Sequence, residues 1–549
     1  MKVKMKNVKN IFYLFCVAFF SAPLFSQTEN VTLPDITTTV SGEVVAAGKD
    51  ALPDFSKIVP DDKKVDSVLP VFAEENVSFD EEPVADFSFG EAKTIFAQGL
   101  VGGGFPGDFI GDFSVYKSIG ENPFKIEFSH LSKNGYGKHK AGDGFFNSST
   151  RLFAEKTITA KSTDFVIGGE YKKNETGLQS VSPFFYDLNS QEAFGNFSVR
   201  KNFSHGFGFE SKTGGSWYNR YAGIADGKND FLKQEKNIDV VYLNQNLNFS
   251  WSGKNFFFGL NGKLDYGTLA GNFDSVEIEN IFRAEASASA GWKNDFLEIS
   301  ASGGIASGTE MGTRNSVPFF DAGISFAGKD SPLKNSFSFE VHGGLDTYLN
   351  SLSELENKYK FSQLVSLPSE VSDWFANAKI SVPVSKFASI YSSAEFRKTA
   401  FENGTWEAVY DSKIDSGIFE IASSDRTLFS TDSGFSYLWN VFTLSAGWKS
   451  HWIHVPADEF KNYISTSISF DSKEKSWGFS VSLQEDIGSD SDKCPLLGGE
   501  VYYNVKESIK LSFELSDAIK LFAGKDRDFM KTDYLVRAGC ASLFAKFYF

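Results

Sequence analysis

The chain has 549 residues, of which 41% are hydrophobic and 23% charged, so it is not a disordered protein and can form several domains or one very large one. Its mean hydropathy of -0.22 argues against a bundle of membrane helices, but a membrane β-barrel can have such a value because half of each strand faces water. The formal net charge of -16 disfavours nucleic acid as a partner, because phosphate binding requires a basic surface.

Aromatic residues and cysteines narrow the class further. Aromatic residues make up 16% of the chain, including 58 Phe, which is more than a soluble core needs and is typical of lipid-facing strands. Cys16 lies in the export signal described next. Cys494 and Cys540 are too few for a disulfide framework or a zinc site, and they either pair or remain isolated small residues. We predict no bound metal and no cofactor.

Residues 1–26 have the parts of a secretory signal peptide. A positive segment comes first, with Lys2, Lys4, Lys6 and Lys9. The apolar segment 11–20 follows and is too short to span a membrane as a helix. We expect cleavage after Ser26, and lipid attachment at Cys16 is the alternative. No later stretch of the sequence is apolar for long enough to form a membrane helix.

Residues 27–86 differ in composition from the rest of the chain. Acidic residues dominate this segment, and prolines interrupt it at Pro34, Pro53, Pro60, Pro70 and Pro83. The pattern predicts an acidic, weakly ordered periplasmic extension. The triplet at 33–35 recurs at 52–54, so the extension is either a linker or a pair of short strands that add to the sheet edge of a periplasmic partner.

Hydrophobicity alternates with a period of two from residue 87 to residue 549. In one example, apolar residues Trp477, Phe479, Val481 and Leu483 alternate with Gly478, Ser480, Ser482 and Gln484. This pattern gives a sheet with one apolar and one polar face. Its persistence over roughly 460 residues exceeds what one soluble sandwich core holds. The sequence therefore predicts an all-β fold, in which residues 87–549 form a large transmembrane antiparallel β-barrel.

The length of this region sets the number of strands. At roughly 21 residues per strand it holds about 22 strands, and an even number brings both ends of the barrel to the periplasm. Three segments interrupt the alternation at 214–232, 348–372 and 398–425, and we expect surface loops or lumen inserts there. Their aromatic and basic residues are candidate loop contacts, namely Trp217, Tyr218, Arg220, Tyr221, Trp406 and Tyr410. In segment 348–372, Leu349, Leu352 and Leu355 have a helix-like spacing.

The sequence carries no recognisable catalytic motif. The six histidines are scattered, and we interpret the close pair His451 and His454 as part of a loop rim. The glycines at 102–107 match G-x-G-x-x-G, but Pro106 and an alternating segment follow where a nucleotide site needs a helix. We interpret this segment as a glycine-rich strand and turn. We expect that the protein is not an enzyme and has no catalytic residues.

The end of the chain carries a recognisable pattern. Leu543, Ala545, Phe547 and Phe549 occupy alternate positions up to the last residue. This resembles the C-terminal targeting signal of outer-membrane barrels, and with a signal peptide at the other end it implies a bacterial outer-membrane location and recognition by the barrel-assembly machinery. In size the barrel resembles that of TonB-dependent receptors or a large porin, but without a full plug, because the preceding segment 27–86 is short and acidic.

These features predict an outer-membrane barrel that contacts lipid and serves uptake or diffusion of a small solute. A surface structural or adhesive barrel that displays loops is the second hypothesis, and a hydrolase with its site on the barrel wall is the third. Conductance in planar bilayers separates the first hypothesis from the other two.

We predict that removing residues 27–86 leaves the thermal stability of the refolded barrel unchanged, because this segment has little apolar surface to bury. The measurement is the thermal transition of the truncated and the full-length protein in the same detergent. Loss of the transition on truncation would show instead that the segment is an integral plug.

Overall fold

The computed structural model describes residues 95–117, 122–134, 147–177, 185–225, 231–232, 238–273, 276–309, 316–327, 337–359, 362–364, 368–385, 387–401, 404–409, 419–457, 459–487, 495–523 and 539–549. These residues all belong to one compact unit. The predicted signal peptide (1–26), the acidic extension (27–86) and the predicted start of the barrel at residue 87 lie outside the described residues.

Most of the described residues are in β-strands, as the period-two pattern requires. The strands are β1 (Phe96–Phe105), β2 (Asp108–Lys117), β3 (Phe124–Lys133), β4 (Asn147–Ala160), β5 (Thr163–Gly177), β6 (Phe185–Asn202), β7 (Phe207–Ala225), β8 (Phe231–Leu232), β9 (Ile238–Ser252), β10 (Phe256–Phe273), β11 (Val276–Lys293), β12 (Leu297–Gly308), β13 (Ser316–Ala327), β14 (Ser338–Tyr348), β15 (Ser362–Leu364), β16 (Val371–Pro383), β17 (Ala388–Thr399), β18 (Thr405–Val409), β19 (Phe419–Ser424), β20 (Thr427–Trp439), β21 (Phe442–Ile453), β22 (Asn462–Asp471), β23 (Trp477–Asp486), β24 (Leu496–Lys506), β25 (Ile509–Ser516) and β26 (Cys540–Tyr548). Three short helices complete the description, namely a 3-10 turn (Ser204–Gly206), α1 (Leu352–Lys358) and α2 (Ala518–Ala523). No helix in the described part of the chain is long and apolar enough to cross a membrane.

The strands form a closed antiparallel barrel. One sheet contains 23 strands, and because the two-residue strand β8 only pairs with the end of β7, the wall itself consists of 22. The first and last strands pair along residues 98–105 and 541–548, which closes the sheet. The predicted large transmembrane antiparallel β-barrel of about 22 strands is therefore confirmed.

Glycines allow the first strand to approach the last one closely. A Cβ atom on Gly102 would lie 2.1 Å from the ring of Phe544, and one on Gly104 would lie 2.3 Å from the carbonyl oxygen of Ala541. Both distances are far below van der Waals contact. The glycine-rich segment at 102–107 is thus the end of β1 and the turn into β2, which confirms its interpretation as a strand and turn.

The two faces of the wall differ as the alternation predicts. On neighbouring strands, Ile468, Val481 and Val501 project outward with exposed fractions of 39%, 42% and 54%. Ser467 and Ser482 are the sequence neighbours of Ile468 and Val481, and they face the lumen directly opposite each other in the register. Such an apolar outer surface is stable only against lipid, because large exposed apolar areas are rare on soluble proteins. The architecture is that of a bacterial outer-membrane protein.

The connections define the two ends of the barrel. The first and last strands bring residues 98 and 548 together at one end. At that end β4 and β5 are joined by residues 161–162, and β20 and β21 by residues 440–441. Long connections lie mainly at the other end, for example 349–370 and 400–426. Because outer-membrane barrels have short periplasmic turns and long external loops, the second end, called the mouth below, is extracellular.

Aromatic side chains surround the periplasmic end of the outer surface. They include exposed residues on widely separated strands and turns, namely Phe207, Phe256, Phe387, Trp439, Trp477, Tyr503 and Phe549. A ring of aromatic residues at this height is the interfacial girdle that anchors a barrel in the membrane.

We predict that arginine lowers the folding free energy at one position of β23 and much less at the adjacent position. Val481 is near the middle of the strand and faces lipid, so Val481→Arg should cost roughly 2–4 kcal/mol of folding free energy, whereas Ser482→Arg places its charge in the aqueous lumen. The measurement is reversible folding into lipid, with Val481→Ala and Ser482→Ala as controls. Equal destabilisation by the two arginines would mean that both faces of the sheet are buried.

Candidate functional site

Two connections fold into the mouth and form a compact structure there. The β14–β16 connection supplies α1 and β15, and the β17–β20 connection supplies β18 and β19. β19 is the central strand, because it pairs in parallel with β15 and antiparallel with β18. We call these four elements the mouth insert. The helix-like spacing of leucines in segment 348–372 therefore corresponds to a real helix.

Helix α1 has its boundaries and its buried face encoded locally. Its N-terminus is a capping box, in which the side chain of Ser351 accepts from the backbone of Glu354 and the side chain of Glu354 accepts from the backbone of Ser351. Leu352 and Leu355 are buried against the barrel wall. The Leu352 N–H also donates to the hydroxyl of Tyr242 on β9, at 3.4 Å.

The mouth insert shares one hydrophobic core with the wall. Trp406 of β18, together with Phe419 and Ile421 of β19, contributes to the same buried cluster as the leucines of α1. The wall contributes residues from β6, β7, β9, β10 and β16 near the mouth, namely Leu188, Tyr218, Ile238, Val240, Leu269 and Val371. The insert is thus packed against one part of the wall by the same burial that stabilises a soluble core.

A fully buried ion pair joins α1 to β7. Arg220 and Glu356 are each 1% exposed, and the guanidinium donates twice to the carboxylate, at 2.6 and 3.0 Å. Glu356 also accepts from the Tyr218 hydroxyl at 2.8 Å and from the Leu364 N–H at 3.2 Å. Four donors therefore converge on one carboxylate, which compensates for its burial.

A second buried ion pair holds the base of the insert. The guanidinium of Arg283 on β11 donates to both oxygens of Glu370, at 3.0 and 3.1 Å, and to the carbonyl of Thr347 at 3.1 Å. The Thr347 hydroxyl donates to Glu370 as well, at 2.8 Å. Glu370 is the residue that precedes β16, so this pair fixes the place where the insert rejoins the wall.

A carboxylate on the other side of the insert is held at the mouth, and another is held within the adjoining β21–β22 connection. Glu407 of β18 forms an ion pair with Arg426, and its Oε2 lies 2.8 Å from the imidazole Nε2 of His454. Glu459 follows β21 and bonds with Lys449 and with His451, whose Nε2 lies 2.9 Å away. Burial acts to raise the pKa of Glu459, but the hydrogen bonds from His451 and Lys449 lower it to about 2.

These contacts determine what the mouth insert can do. A buried ion pair adds little net stability compared with apolar side chains of the same volume. Removing one partner is costly because it leaves the other charge buried alone, so these pairs fix the position of the insert. The insert is therefore held in one place against the wall, where it narrows the extracellular entrance to the lumen. The arrangement is suited to selecting or restricting what enters, and the described carboxylates Glu356, Glu370 and Glu407 are each held by a cation.

The structure places the predicted loop contacts in two different settings. Trp217, Tyr218, Arg220 and Tyr221 lie within strand β7, so the prediction of a surface loop or lumen insert over 214–232 is wrong for residues 214–225. Tyr218 and Arg220 alternate along this strand and face the insert, whereas the Trp217 indole bonds to Asp239 of β9 at 3.3 Å. Trp406 belongs to the insert itself, as segment 398–425 predicts. Tyr410 lies outside the described residues.

The residues of the predicted assembly signal share the outward face of β26. Leu543 and Phe549 are 60% and 68% exposed, and Ala545 and Phe547 lie between them at alternate positions. The rings of Phe547 and Phe549 stack at 6.4 Å, and the Phe549 N–H donates to the Ala97 carbonyl at 2.8 Å. Recognition of this face by the barrel-assembly machinery stays a prediction.

Metal ligands and cysteines add no second site. No group of three or more His, Cys, Asp or Glu side chains that could hold a metal ion occurs within the described ranges. His451 and His454 bind different glutamates rather than a common ligand. Cys540 is buried, and Cys494, with which it is predicted either to pair or not, lies outside the described residues.

Sequence reasoning missed the partners that hold the insert. Glu356 and Glu370 were not among the candidate residues. The signal for Glu356 was its position one residue after Leu355, on the buried side of a helix whose leucine spacing was recognised. A carboxylate at such a position needs a buried cation, but the sequence does not indicate which one.

Comparison with known proteins identifies the fold. No protein-family model matches the sequence, and no curated protein matches it. Solved structures do match. The copper transporter OprC is 10% identical, with 83% of this chain and 80% of that chain covered and a TM-score of 0.61. The FrpB iron transporter from Neisseria meningitidis is 8% identical, with 84% and 82% covered and a TM-score of 0.61.

A third similar structure is the siderophore receptor PirA from Pseudomonas aeruginosa, at 9% identity, with 83% of this chain and 81% of that chain covered and a TM-score of 0.56. At these identities the similarity concerns the fold. The predicted resemblance to the barrel of TonB-dependent receptors is confirmed at that level.

We predict that Glu356→Met releases the mouth insert without unfolding the barrel, because it leaves Arg220 buried without its carboxylate at a cost of about 3–5 kcal/mol. Hydrogen exchange of residues 352–359 and 419–424 should accelerate, while exchange in β21–β25 stays unchanged. The double variant Arg220→Met/Glu356→Met should recover much of the protection, because an apolar pair carries no desolvation cost.

Glu354→Gln on the exposed face of the same helix serves as the matched control, and it should change exchange only within the first turn of α1. Unchanged exchange in the Glu356→Met variant would mean that the ion pair does not hold the insert.

Proposed function

We propose that this protein is an outer-membrane channel through which a small polar solute passes, with its entrance narrowed by the mouth insert. The observation that carries the proposal is a closed barrel whose inner face is polar and whose extracellular connections fold back into the mouth. A barrel of this size encloses a wide lumen unless something obstructs it. An entrance narrowed by the insert would favour solutes of a limited size.

The inner wall supports passage of a hydrated solute. Arg151 of β4 bonds with Glu127 of β3 at 2.9 Å and forms an ion pair with Glu170 of β5. On the other side, Arg397 of β17 bonds with Glu395 at 2.9 Å. Charged side chains in this number require water around them, so we infer an aqueous lumen.

The similar structures add support from fold analogy. They are a copper transporter, an iron transporter and a siderophore receptor. Uptake of a small solute is therefore the function that we favour for this chain, with outer-membrane lipid and the barrel-assembly machinery as its expected partners. A periplasmic partner for residues 27–86 remains part of the proposal, because the acidic repeat at 33–35 and 52–54 suits an extended binding segment.

A surface barrel that only displays loops is the second candidate. Its support is the number of long connections at the mouth. A hydrolase is less favoured, because His130 bonds to Thr150, and His451 and His454 bond to carboxylates, with no serine nucleophile bonded to these histidines among the described residues. We accordingly propose that the protein is not an enzyme.

We predict that the purified, refolded protein conducts ions in planar bilayers, and that its conductance rises when the β18–β19 part of the insert is removed. The variant replaces residues 402–424 with a short Gly-Ser linker, which empties part of the mouth while the wall strands β17 and β20 stay intact. The measurement is single-channel conductance with ion selectivity.

The control shortens the 488–494 connection, which contributes no described residue to the insert, and it should leave the conductance unchanged. Silent bilayers with both the parent protein and the shortened-insert variant would contradict transport and favour the display of loops.

A further inference from the structure

The inner wall below the mouth insert carries a regular group of amide side chains. On β9, Asn244, Asn246 and Asn248 occupy successive lumen-facing positions, and Asn261 of β10 lies directly opposite Asn248 in the register. Asn246 and Asn248 are exposed to the lumen. Nothing in the described part of the chain accepts from or donates to the side chains of the three β9 asparagines. We call these four residues the amide patch.

The charges around the amide patch cancel. The register places Lys212 of β7 and Lys263 of β10 on either side of Asn246, and it places Glu210 beside Asn248 and Asp265 beside Asn244. Lys263 and Asp265 form an ion pair at 2.9 Å. Two positive and two negative side chains therefore frame the patch, so recognition here depends on neutral hydrogen bonding rather than on net charge.

An aromatic edge lies between the amide patch and the insert. The ring of Phe194 on β6 faces the lumen beside Gly214 of β7. A Cβ atom added to Gly214 would lie 3.2 Å from this ring and 2.5 Å from Asn244 Oδ1. One row nearer to the mouth, the ring of Tyr242 lies over Gly267, where an added Cβ would be 2.9 Å from it. Glycines on β7 and β10 thus make room for aromatic rings next to the amides.

This combination selects a chemical class of solute. An amide offers a donor and an acceptor at once, and a hydroxyl group does the same, so a row of amides matches a row of hydroxyls without any charge. The aromatic faces suit the apolar C–H surfaces that a sugar ring exposes beside its hydroxyls. We infer that the amide patch, bordered by Phe194 and Tyr242, is a binding subsite for a neutral oligosaccharide inside the lumen.

The position of the subsite fits its role. Along β9, Ile238 and Val240 are buried under the insert, Tyr242 contacts α1, and the asparagines follow toward the periplasm. A solute that passes the insert therefore meets the aromatic edge first and the amides next. The inference rests on the proposed function, because a lumenal subsite serves a solute only if the solute can enter.

The test measures interruptions of single-channel current by maltohexaose and cellohexaose, two neutral oligosaccharides, and by a galacturonate hexamer as the acidic counterpart. We expect the neutral probes to interrupt the current and the acidic probe to do so at least tenfold less well. Asn246→Leu and Asn248→Leu should each weaken the interruption about five- to tenfold, which is the effect of one lost hydrogen bond. Asn246→Ala gives the same comparison if the leucine variant folds poorly.

Asn377→Leu is the matched control, because Asn377 also faces the lumen, on β16 and away from the patch. It should bind the neutral probes as the parent does. A conducting channel that no neutral oligosaccharide interrupts would overturn the subsite while the transport proposal stands. Interruption that survives both asparagine variants, or that the acidic probe produces equally well, would also overturn it. Absence of any conductance would overturn the transport proposal together with this inference.

Discussion

The structure depends on closing one sheet upon itself. In hydrocarbon no water is present to bond with backbone N–H and C=O groups, so a strand with a free edge is not tolerated. The pairing of β1 with β26 supplies the last row of these bonds. It is possible at this distance because Gly102 and Gly104 carry no Cβ that would strike Phe544 and the backbone of β26.

The same constraint explains why the wall was predictable. One face of each strand contacts lipid and the other contacts water, so apolar and polar residues must alternate along the strand. The number of strands then follows from the chain length. Prediction failed at β7, where Trp217 and Tyr221 share a strand with Tyr218 and Arg220. This part of the strand lies near the mouth, where lipid no longer requires an apolar outer face and the insert covers the inner one. The alternation therefore disappears although the strand continues.

The mouth insert was predictable in part, and for a physical reason. Its helix has a local signal, because Leu352 and Leu355 repeat with helical spacing after a capping box. Its place against the wall has no local signal. Arg220 and Glu356 are 136 residues apart in the chain, and both residue types are normally exposed, so one sequence gives no reason to pair them. Only the fold shows that the pair is buried.

The position of the insert makes the lumen asymmetric, and this bears on how a solute would travel. The insert packs on β6, β7, β9, β10 and β16, and β9 changes along its length from apolar residues to an aromatic ring and then to amides. On β21–β23, Ser445, Ser467 and Ser482 face the lumen instead, with small side chains. Small residues leave space and make few contacts, whereas amides and rings make specific ones. A solute would then bind selectively on one side of the lumen and pass with few contacts on the other side. The buried Arg220–Glu356 pair would keep the two sides different by holding the insert on the selective side.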